Sequence, residues 1–188
     1  MAIRLGILGI GSMGRHHVRN ARATAGVELV ALADPGGDRF GVAGDLPVLG
    51  GVEELIEAGI DAAIIAAPTA HHEAAALALA EAGVHTLVEK PLATSVEAGR
   101  RIRDAFAAAG LVGAVGYVER CNPALIDMRR RIAEGQLGEI EQIATRRQSP
   151  FPARISDVGV VKDLATHDVD LAAWVAGAPY ESIYARTS

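Results

Sequence analysis

The stretch Gly9-Ile10-Gly11-Ser12-Met13-Gly14 follows directly on the apolar run Ile3 to Leu8 and leads into a segment with helical character. In a G-x-G-x-x-G turn placed between a strand and a helix, the first glycine permits a tight bend and the second lets the backbone approach a pyrophosphate. The third glycine lets the helix pack closely on the strand. The helix N-terminus then offers N–H groups to the phosphates. The sequence therefore predicts that residues 9–14 bind a dinucleotide.

An acidic residue stands at the matching distance. A second apolar run, Val27 to Ala33, ends at Asp34, 20 positions after Gly14. A carboxylate in that place binds the ribose hydroxyls of an adenosine and opposes a 2′-phosphate. We therefore expect NAD as the cofactor and NADP to be less favoured, although Arg39 is near enough to pair with a 2′-phosphate. The alternative is a glycine-rich turn with a solvated aspartate.

Strand-like and helix-like segments alternate up to about residue 120. The apolar and polar patterns predict strands at 3–8, 27–33, around Val48, and at 61–66, 84–88 and 112–118, with helices at 13–25, 52–58, 73–82 and 95–109. Strands separated by single helices imply right-handed crossovers and a parallel sheet. Residues 1–120 are therefore predicted to form a doubly wound α/β domain of the Rossmann type that binds the dinucleotide.

The pattern changes after Asn122-Pro123. Helices are predicted at 124–134 and 162–176, and strand-like alternation at 139–148 and 182–185. Two short strands cannot form much of a sheet, so residues 121–188 are predicted to be the truncated start of an α+β second domain. We expect residues 1–120 to fold and bind NAD(H) by themselves, and the uncovered edges of the second domain to favour self-association over turnover.

Composition excludes several classes of protein. Half of the 188 residues are apolar and only 4% are aromatic, which suits helices packed on a parallel sheet. The net charge of −5 and the absence of a long basic run argue against a nucleic-acid partner. The single cysteine, Cys121, fits a reducing compartment, and no stretch has transmembrane length. We therefore expect a cytoplasmic protein that binds neither nucleic acid nor membrane.

Five motifs in this order resemble the Gfo/Idh/MocA oxidoreductases over essentially the whole chain. They are the glycine turn, Asp34-Pro35, Ala67-Pro68-Thr69 with His72, Glu89-Lys90-Pro91, and Asp163-x-x-x-His167-Asp168-x-Asp170. The stretch from Arg146 to Asp170 is similar to the subgroup that oxidises the 3-hydroxyl of UDP-N-acetylglucosamine. The resemblance implies an NAD(P)-dependent dehydrogenase acting on a CH–OH group of a sugar or nucleotide-sugar, and a homo-oligomer. Members of the family are longer, and most of the open sheet of their second domain is absent here.

The resemblance also implies roles for individual residues. The cofactor would contact the residues of the glycine turn and of three later segments: Gly9, Ile10, Gly11, Ser12, Met13, Gly14, Asp34, Ala67, Pro68, Thr69, His72, Glu89 and Lys90. The substrate would contact Lys90, Arg147, Arg154, Asp163 and His167, of which Lys90, Asp163 and His167 would be catalytic. Arg147 and Arg154 are the candidates for a diphosphate, because the guanidinium fork suits phosphate oxygens.

The residues give independent reasons for two of these roles. Lys90 follows a strand, at the edge where doubly wound sheets bind ligands, and its ammonium can stabilise a developing alkoxide. Asp163 and His167 are four apart in a predicted helix and share a face, and an imidazole with an unperturbed pKa of about 6.5 can accept a hydroxyl proton. The alternative is a capping aspartate and a core histidine. No metal is expected, because hydride transfer needs none. The consecutive His16 and His17 receive no role.

Two other functions remain open at this point. The first is a myo-inositol or glucose dehydrogenase of the same family, with a smaller polyol as substrate. The second is a dinucleotide-binding module without turnover, which the short second domain favours and the presence of Lys90, Asp163 and His167 disfavours.

Overall fold

The computed structural model describes residues 1–148 and 161–186. The chain divides into two compact units, Met1–Gly116 and Tyr117–Ser188. The first unit contains six strands: β1 (Ile3–Leu8), β2 (Val27–Ala33), β3 (Val48–Leu49), β4 (Ala62–Ile65), β5 (His85–Val88) and β6 (Gly113–Val115). Its four α-helices are α1 (Gly14–Ala23), α2 (Val52–Glu57), α3 (His72–Glu81) and α4 (Val96–Ala108).

The six strands form one sheet in the order β3-β2-β1-β4-β5-β6, and every neighbouring pair is parallel. The predicted doubly wound parallel sheet is confirmed. The chain winds outward from β1 in one direction through β2 and β3, and in the other through β4, β5 and β6. The strand order thus changes direction between β1 and β4, and doubly wound sheets bind ligands beyond the carboxyl ends of the strands at such a point.

Apolar side chains cover both faces of this sheet. On one face Leu8 and Ile65 pack with side chains of α2, α3 and α4. On the other face Ile7 and Leu32 pack with Val18 of α1. Successive strand residues point to opposite faces, so Ile7 and Leu8 enter different cores. Burial on both sides explains why the inner ends of β1 and β2 are apolar, while Arg4 and Glu28 lie near their exposed starts.

Helix ends follow their capping residues. The Ser95 hydroxyl accepts a hydrogen bond from the Ala98 N–H at 3.1 Å, which confirms Ser95 as the N-cap of α4. In the second unit, α5 (Pro123–Ala133) begins after Asn122, whose side chain accepts from the Ala124 N–H at 3.0 Å. The last helix ends at Gly177, which has a φ of 68°.

The second unit is built from short elements. A 3₁₀ turn (Val118–Cys121) precedes α5, and a π-helical turn (Val161–Ala165) leads into α6 (Thr166–Ala176). The single helix predicted at 162–176 is thus two segments. A π turn inside a helix is often found at functional sites.

Two strand predictions in this unit are wrong. Residues 139–148 and 182–186 have no regular secondary structure, and all of them are exposed. A strand is stable only where a neighbour pairs with its backbone N–H and C=O groups, and among the described residues none lies beside either segment. Alternation of apolar and polar residues suits a strand with one buried face, but it does not show whether a neighbouring strand is present to pair with it.

The boundary between the compact units falls between Gly116 and Tyr117, four residues before the predicted end of the dinucleotide-binding domain at 120. That functional boundary stays a prediction. Within the described part of the chain, no helix has both the length and the apolar character needed to cross a lipid bilayer.

A matched pair of valines tests the packing of α1. Val18 is 1% exposed, whereas Val96 in α4 is 64% exposed. We expect Val18→Ala to lower the free energy of unfolding by about 2 kcal/mol, because two buried methyl groups are lost and a cavity remains. Val96→Ala should change it by less than about 0.5 kcal/mol, since the site is solvated and alanine favours helix. Denaturant unfolding of both variants measures the difference, and equal losses would contradict the described packing.

Candidate active site

Four segments with polar or glycine residues meet at the carboxyl edge of the sheet. Residues 9–14 follow β1, Asp34 follows β2, residues 66–72 follow β4, and Glu89-Lys90 follows β5. Because parallel strands all end at the same edge, the fold brings together the residues that the sequence predicted separately for this unit.

Gly9 and Gly14 hold positions that admit no side chain. Gly9 has a φ of +86°, and a Cβ there would lie 2.6 Å from the backbone nitrogen of Ala67. A Cβ at Gly14 would overlap the carbonyl oxygen of Gly9. The first and third glycines of the motif therefore serve the packing of the turn itself, as predicted from their positions.

Gly11 differs, because a Cβ there would have no atom within 4 Å. The protein itself leaves this position open, at the start of α1. The N-cap residue of α1, Met13, makes no side-chain hydrogen bond to the first turn, and that turn contains no acidic residue. An open glycine beside an uncapped helix N-terminus fits the pyrophosphate of a dinucleotide, which needs close backbone approach and N–H donors.

Asp34 is tied to the turn by its carboxylate. One oxygen accepts from the Ile10 N–H at 3.0 Å, and the other accepts from the Gly36 N–H at 2.8 Å. An ionised carboxylate has about four acceptor positions, so about two remain for hydroxyl groups of a ligand. Asp34 is half-buried and held in place before any ligand arrives.

The loop after Asp34 carries cationic groups. The Arg39 Nε lies 3.8 Å from the position that a Cβ on Gly36 would occupy, so its guanidinium group is close to this corner of the site. The guanidinium of Arg15 lies over the Phe40 ring, 4.8 Å from its centroid. Backbone N–H groups, chiefly that of Ala43, lower the pKa of Asp38 in the same loop.

The segment after β4 holds His72 inside the protein. This side chain is 1% exposed, and its Nε2 lies 2.8 Å from the Ala67 carbonyl oxygen. Its Nδ1 lies 3.1 Å from the carbonyl oxygen of Pro91 and 3.3 Å from that of Leu92. His72 therefore joins the backbone after β4 to the backbone after Lys90. Thr69, 8% exposed, opens the short 3₁₀ turn after Pro68.

Glu89 has a partner that the sequence did not indicate. Its side chain is 5% exposed, and one carboxylate oxygen lies 2.8 Å from the Nε2 of His17, on α1. The other oxygen accepts from the Lys90 N–H at 3.1 Å. The only available signal was that His17 lies one helical turn after Gly14; nothing in a single sequence connects it with Glu89. Lys90 is half-buried, and its peptide bond to Pro91 is cis.

The other predicted catalytic residues belong to the second unit. His167 is in the first turn of α6, is half-buried, and has its Nδ1 excluded from solvent. Asp163 lies in the π turn, where hydrogen bonds run from i to i+5, so the four-residue spacing does not by itself align it with His167. Arg154 lies outside the described residues.

Arg147, predicted to bind a diphosphate, is engaged with carboxylates. Its Nε donates to Asp168 at 2.9 Å, and a terminal nitrogen lies 3.7 Å from Glu119. Asp168 accounts for most of the increase in the pKa of Arg147. A diphosphate at this position would have to compete with these two acids.

Arg120 and Asp170 form a second ion pair beside Tyr117. The Nε and one terminal nitrogen of Arg120 each donate to a different carboxylate oxygen of Asp170, whose side chain is only 9% exposed. Burial raises the pKa of Tyr117, and the charge of Asp170 adds to the effect. Asp170 is thus occupied with Arg120. Among the described residues, no group of three or more His, Cys, Asp or Glu side chains could hold a metal ion.

The relatives with similar sequences include dehydrogenases named for two kinds of substrate, an inositol and a nucleotide-sugar. The chain is 33% identical to the scyllo-inositol 2-dehydrogenase (NAD(+)) of Bacillus subtilis, over 96% of this chain and 56% of that protein. It is 32% identical to the UDP-N-acetylglucosamine 3-dehydrogenase of Acidithiobacillus ferrooxidans, over 94% of this chain and 55% of that protein. The solved structure of the latter has a TM-score of 0.78 at 31% identity, covering 94% of this chain and 57% of that one. The chain therefore spans a little over half the length of these relatives.

Models of protein families cover both units. The model described as an oxidoreductase family with an NAD-binding Rossmann fold matches residues 3–117. The model of the Gfo/Idh/MocA C-terminal domain matches residues 125–188. The first match includes the glycine turn, Asp34 and Lys90, and the second includes His167. The chain thus belongs to the Gfo/Idh/MocA family of oxidoreductases, and its first unit is the NAD-binding Rossmann fold of that family.

Proposed function

We propose that this chain carries the cofactor site and the catalytic groups of an NAD-dependent dehydrogenase that oxidises a secondary hydroxyl of a sugar or polyol. The first candidate substrate is UDP-N-acetylglucosamine, oxidised at its 3-hydroxyl. The observation that carries the proposal is the carboxyl edge of the sheet. There an open glycine, a preoriented carboxylate and a lysine follow three strands of one sheet.

The cofactor would be held along this edge. Residues 9–14 would receive the pyrophosphate at Gly11, and the remaining acceptor positions of Asp34 would bind the ribose hydroxyls. Residues 67–69 and 89–90 would contact it beyond the turn, Glu89 only through its backbone, because its carboxylate is enclosed by protein. His72 would support these contacts through the backbone, because its own ring is buried. When bound, NAD supplies the acceptor for the hydride that leaves the substrate carbon.

Lys90 would bind the reacting hydroxyl. Its ammonium donates a hydrogen bond to the hydroxyl oxygen and stabilises the negative charge that develops there as the proton leaves. The position suits this role, because Lys90 directly follows Glu89 at the end of β5 and is half-buried. A partly desolvated ammonium stabilises a nearby anion more strongly than one in bulk water.

His167 would accept the hydroxyl proton. Its Nδ1 is excluded from solvent, so the proton would go to Nε2. A neutral imidazole near physiological pH is a suitable base for this transfer. Asp163 would assist by orienting either the imidazole or the substrate. The transferred proton then resides on Nε2 until it exchanges with solvent.

The polyol alternative has an observation of its own in its favour. Arg147, the described candidate for a diphosphate contact, already pairs with Asp168 and lies near Glu119. An inositol has no diphosphate and would leave these ion pairs intact. The two names among the relatives do not separate the alternatives, so the substrate must be decided by assay.

We also propose that the protein acts as a homo-oligomer. Large apolar side chains of the second unit are exposed, among them Leu137 at 61%, Ile183 at 77% and Tyr184 at 90%. Apolar surface of this kind favours association with a further chain.

Two glycine variants distinguish a glycine needed for cofactor binding from a glycine needed for folding. Gly11→Ala should fold normally, because the new methyl group meets none of the described residues, yet should weaken NAD(H) binding about tenfold or more by blocking the pyrophosphate. Gly9→Ala should lower the free energy of unfolding by about 1–3 kcal/mol or more, since φ is positive and Ala67 is in the way. Thermal unfolding and calorimetric titration measure both effects. Unchanged NAD(H) affinity in Gly11→Ala would contradict the assigned pyrophosphate position.

Asp34 should decide the choice of cofactor. We expect tighter binding of NAD(H) than of NADP(H), and Asp34→Asn should reduce the difference about tenfold, because hydrogen bonds to a charged acceptor contribute about 1.5–3 kcal/mol. Asn keeps the size of the side chain and removes its charge. Arg39→Ala is the control and should leave NAD(H) affinity unchanged. Tighter NADP(H) binding by the unaltered chain, lost in Arg39→Ala, would reverse the assignment.

The reaction itself is tested by formation of NADH with the natural full-length protein. UDP-N-acetylglucosamine, scyllo-inositol, myo-inositol and glucose should be compared, and the preferred substrate identifies the class. Lys90→Ala and His167→Ala should each lower the rate by about two orders of magnitude or more. His85→Ala is the control, since His85 begins β5 at the opposite edge of the sheet. NAD(H) binding without oxidation of any of these substrates would favour a binding module instead.

A further inference from the structure

The Glu89 carboxylate is buried at a junction of three elements. Among the described residues, Glu89 is the only acidic residue that is buried, with 4% of its surface exposed. The residue follows β5, contacts His17 of α1, and lies against Gly116, which follows β6. A buried carboxylate is costly unless each oxygen has a donor, and here each oxygen has one.

Each of its two bonds reaches a different part of the proposed active site. His17 belongs to the first turn of α1, and its backbone N–H donates to the Met13 carbonyl oxygen at 3.3 Å, inside the glycine turn. Its Nε2 lies 2.8 Å from one carboxylate oxygen of Glu89. The other oxygen accepts from the N–H of Lys90. A continuous chain of hydrogen bonds therefore runs from the cofactor turn to the backbone of the proposed catalytic lysine.

Gly116 closes off the space beside the Glu89 carboxylate. A Cβ at this position would lie 3.0 Å from both the Cδ and one oxygen of Glu89. The Gly116 N–H donates to the Val88 carbonyl oxygen at 2.8 Å, so its backbone cannot easily withdraw. The carboxylate is thus confined by the His17 imidazole and by the bare backbone of Gly116.

We propose that His17 and Glu89 are positioning residues that fix the direction in which Lys90 presents its ammonium. This rests on the proposed role of Lys90. The bond from the Lys90 N–H to the carboxylate sets the plane of the peptide that precedes the Lys90 Cα, and His17 keeps that carboxylate from turning. A displacement of about 1 Å at a catalytic group can lower a rate about 100-fold.

A purely structural role predicts something different. If His17 and Glu89 only stabilise the fold, their substitution lowers stability and leaves the turnover of the folded fraction unchanged. If they position Lys90, the backbone around Lys90 loosens and kcat falls. NAD(H) affinity changes little, because the main proposed cofactor contacts, Gly11 and Asp34, are not altered and Lys90 is one of several weaker ones. The two roles therefore separate in kcat and in the local exchange of one amide proton.

The composition of the chain makes that amide proton easy to observe. Lys90 and Lys162 are its only lysines, so [15N]lysine labelling gives two backbone signals, and Lys162→Arg assigns them. We expect the Lys90 amide proton to exchange about tenfold or more faster in His17→Leu. His17→Gln should restore slow exchange, since its side-chain amide can again donate to Glu89. His16→Leu is the matched control, because the neighbouring helix position points about 100° away.

Gly116→Ala provides a second variant that leaves α1 untouched. Its methyl group should displace the carboxylate, because it would lie 3.0 Å from the Glu89 Cδ, and we expect the same faster exchange at Lys90. This variant keeps the proposal testable if His17→Leu fails to fold. Slow exchange at Lys90 in both folded variants would overturn the proposal.

Kinetics complete the test on the natural full-length protein. We expect His17→Leu to lower kcat about 100-fold with the Kd for NAD(H) within about threefold of the unaltered value, and His17→Gln to recover most of the loss. A parallel loss of NAD(H) affinity would overturn the proposal and assign His17 to the cofactor turn instead. The exchange measurement needs no turnover. If no sugar or polyol is oxidised, the proposed function fails, while the exchange results still decide whether His17 and Glu89 hold Lys90.

Discussion

The site depends on one close approach between two backbones. The turn after β1 lies against the segment after β4 without room for a side chain: a Cβ on Gly9 would lie 2.6 Å from the Ala67 nitrogen, and one on Gly14 would overlap the Gly9 carbonyl oxygen. This contact falls where the strand order changes direction, because β1 pairs with β2 on one side and β4 on the other. The start of α1 is thereby brought to the carboxyl edge of the sheet, with Gly11 open beside it.

Two carboxylates then join this turn to the strand ends around it. Asp34 accepts backbone N–H groups from Ile10 and Gly36, and Glu89 accepts from Lys90 while contacting His17. A carboxylate suits this task because it has about four acceptor positions and can join two elements at once. The half-buried Asp34 keeps acceptor capacity for a ligand. Glu89, enclosed by protein, serves the backbone instead. A carboxylate can thus either bind a ligand or hold backbone segments together, and its degree of burial decides which.

Local patterns predicted local structure well in the first unit. The strands at 3–8 and 27–33 are present with those bounds, because the parts of each strand that are buried on both faces are apolar. Ser95 caps α4 because its hydroxyl satisfies an N–H that the helix leaves unpaired. In the second unit the same reasoning failed at 139–148 and 182–185, since alternation cannot tell whether a neighbouring strand exists. The helix predicted at 162–176 contains a π turn that periodicity did not distinguish.

The sequence alone determined which groups follow three of the strands: a glycine turn after β1, a carboxylate, Asp34, after β2 and a lysine, Lys90, after β5. Each of these groups lies directly after its own strand in the sequence, and Asp34 stands at the distance from the glycine turn that the fold class prescribes. The tertiary structure decided which groups meet. His17 and Glu89 are 72 positions apart, and Arg147 and Asp168 are 21 apart, and no local pattern connects either pair. Such pairs form only when strands and helices from separate parts of the chain are packed together, because burial then makes a partner for each charge necessary.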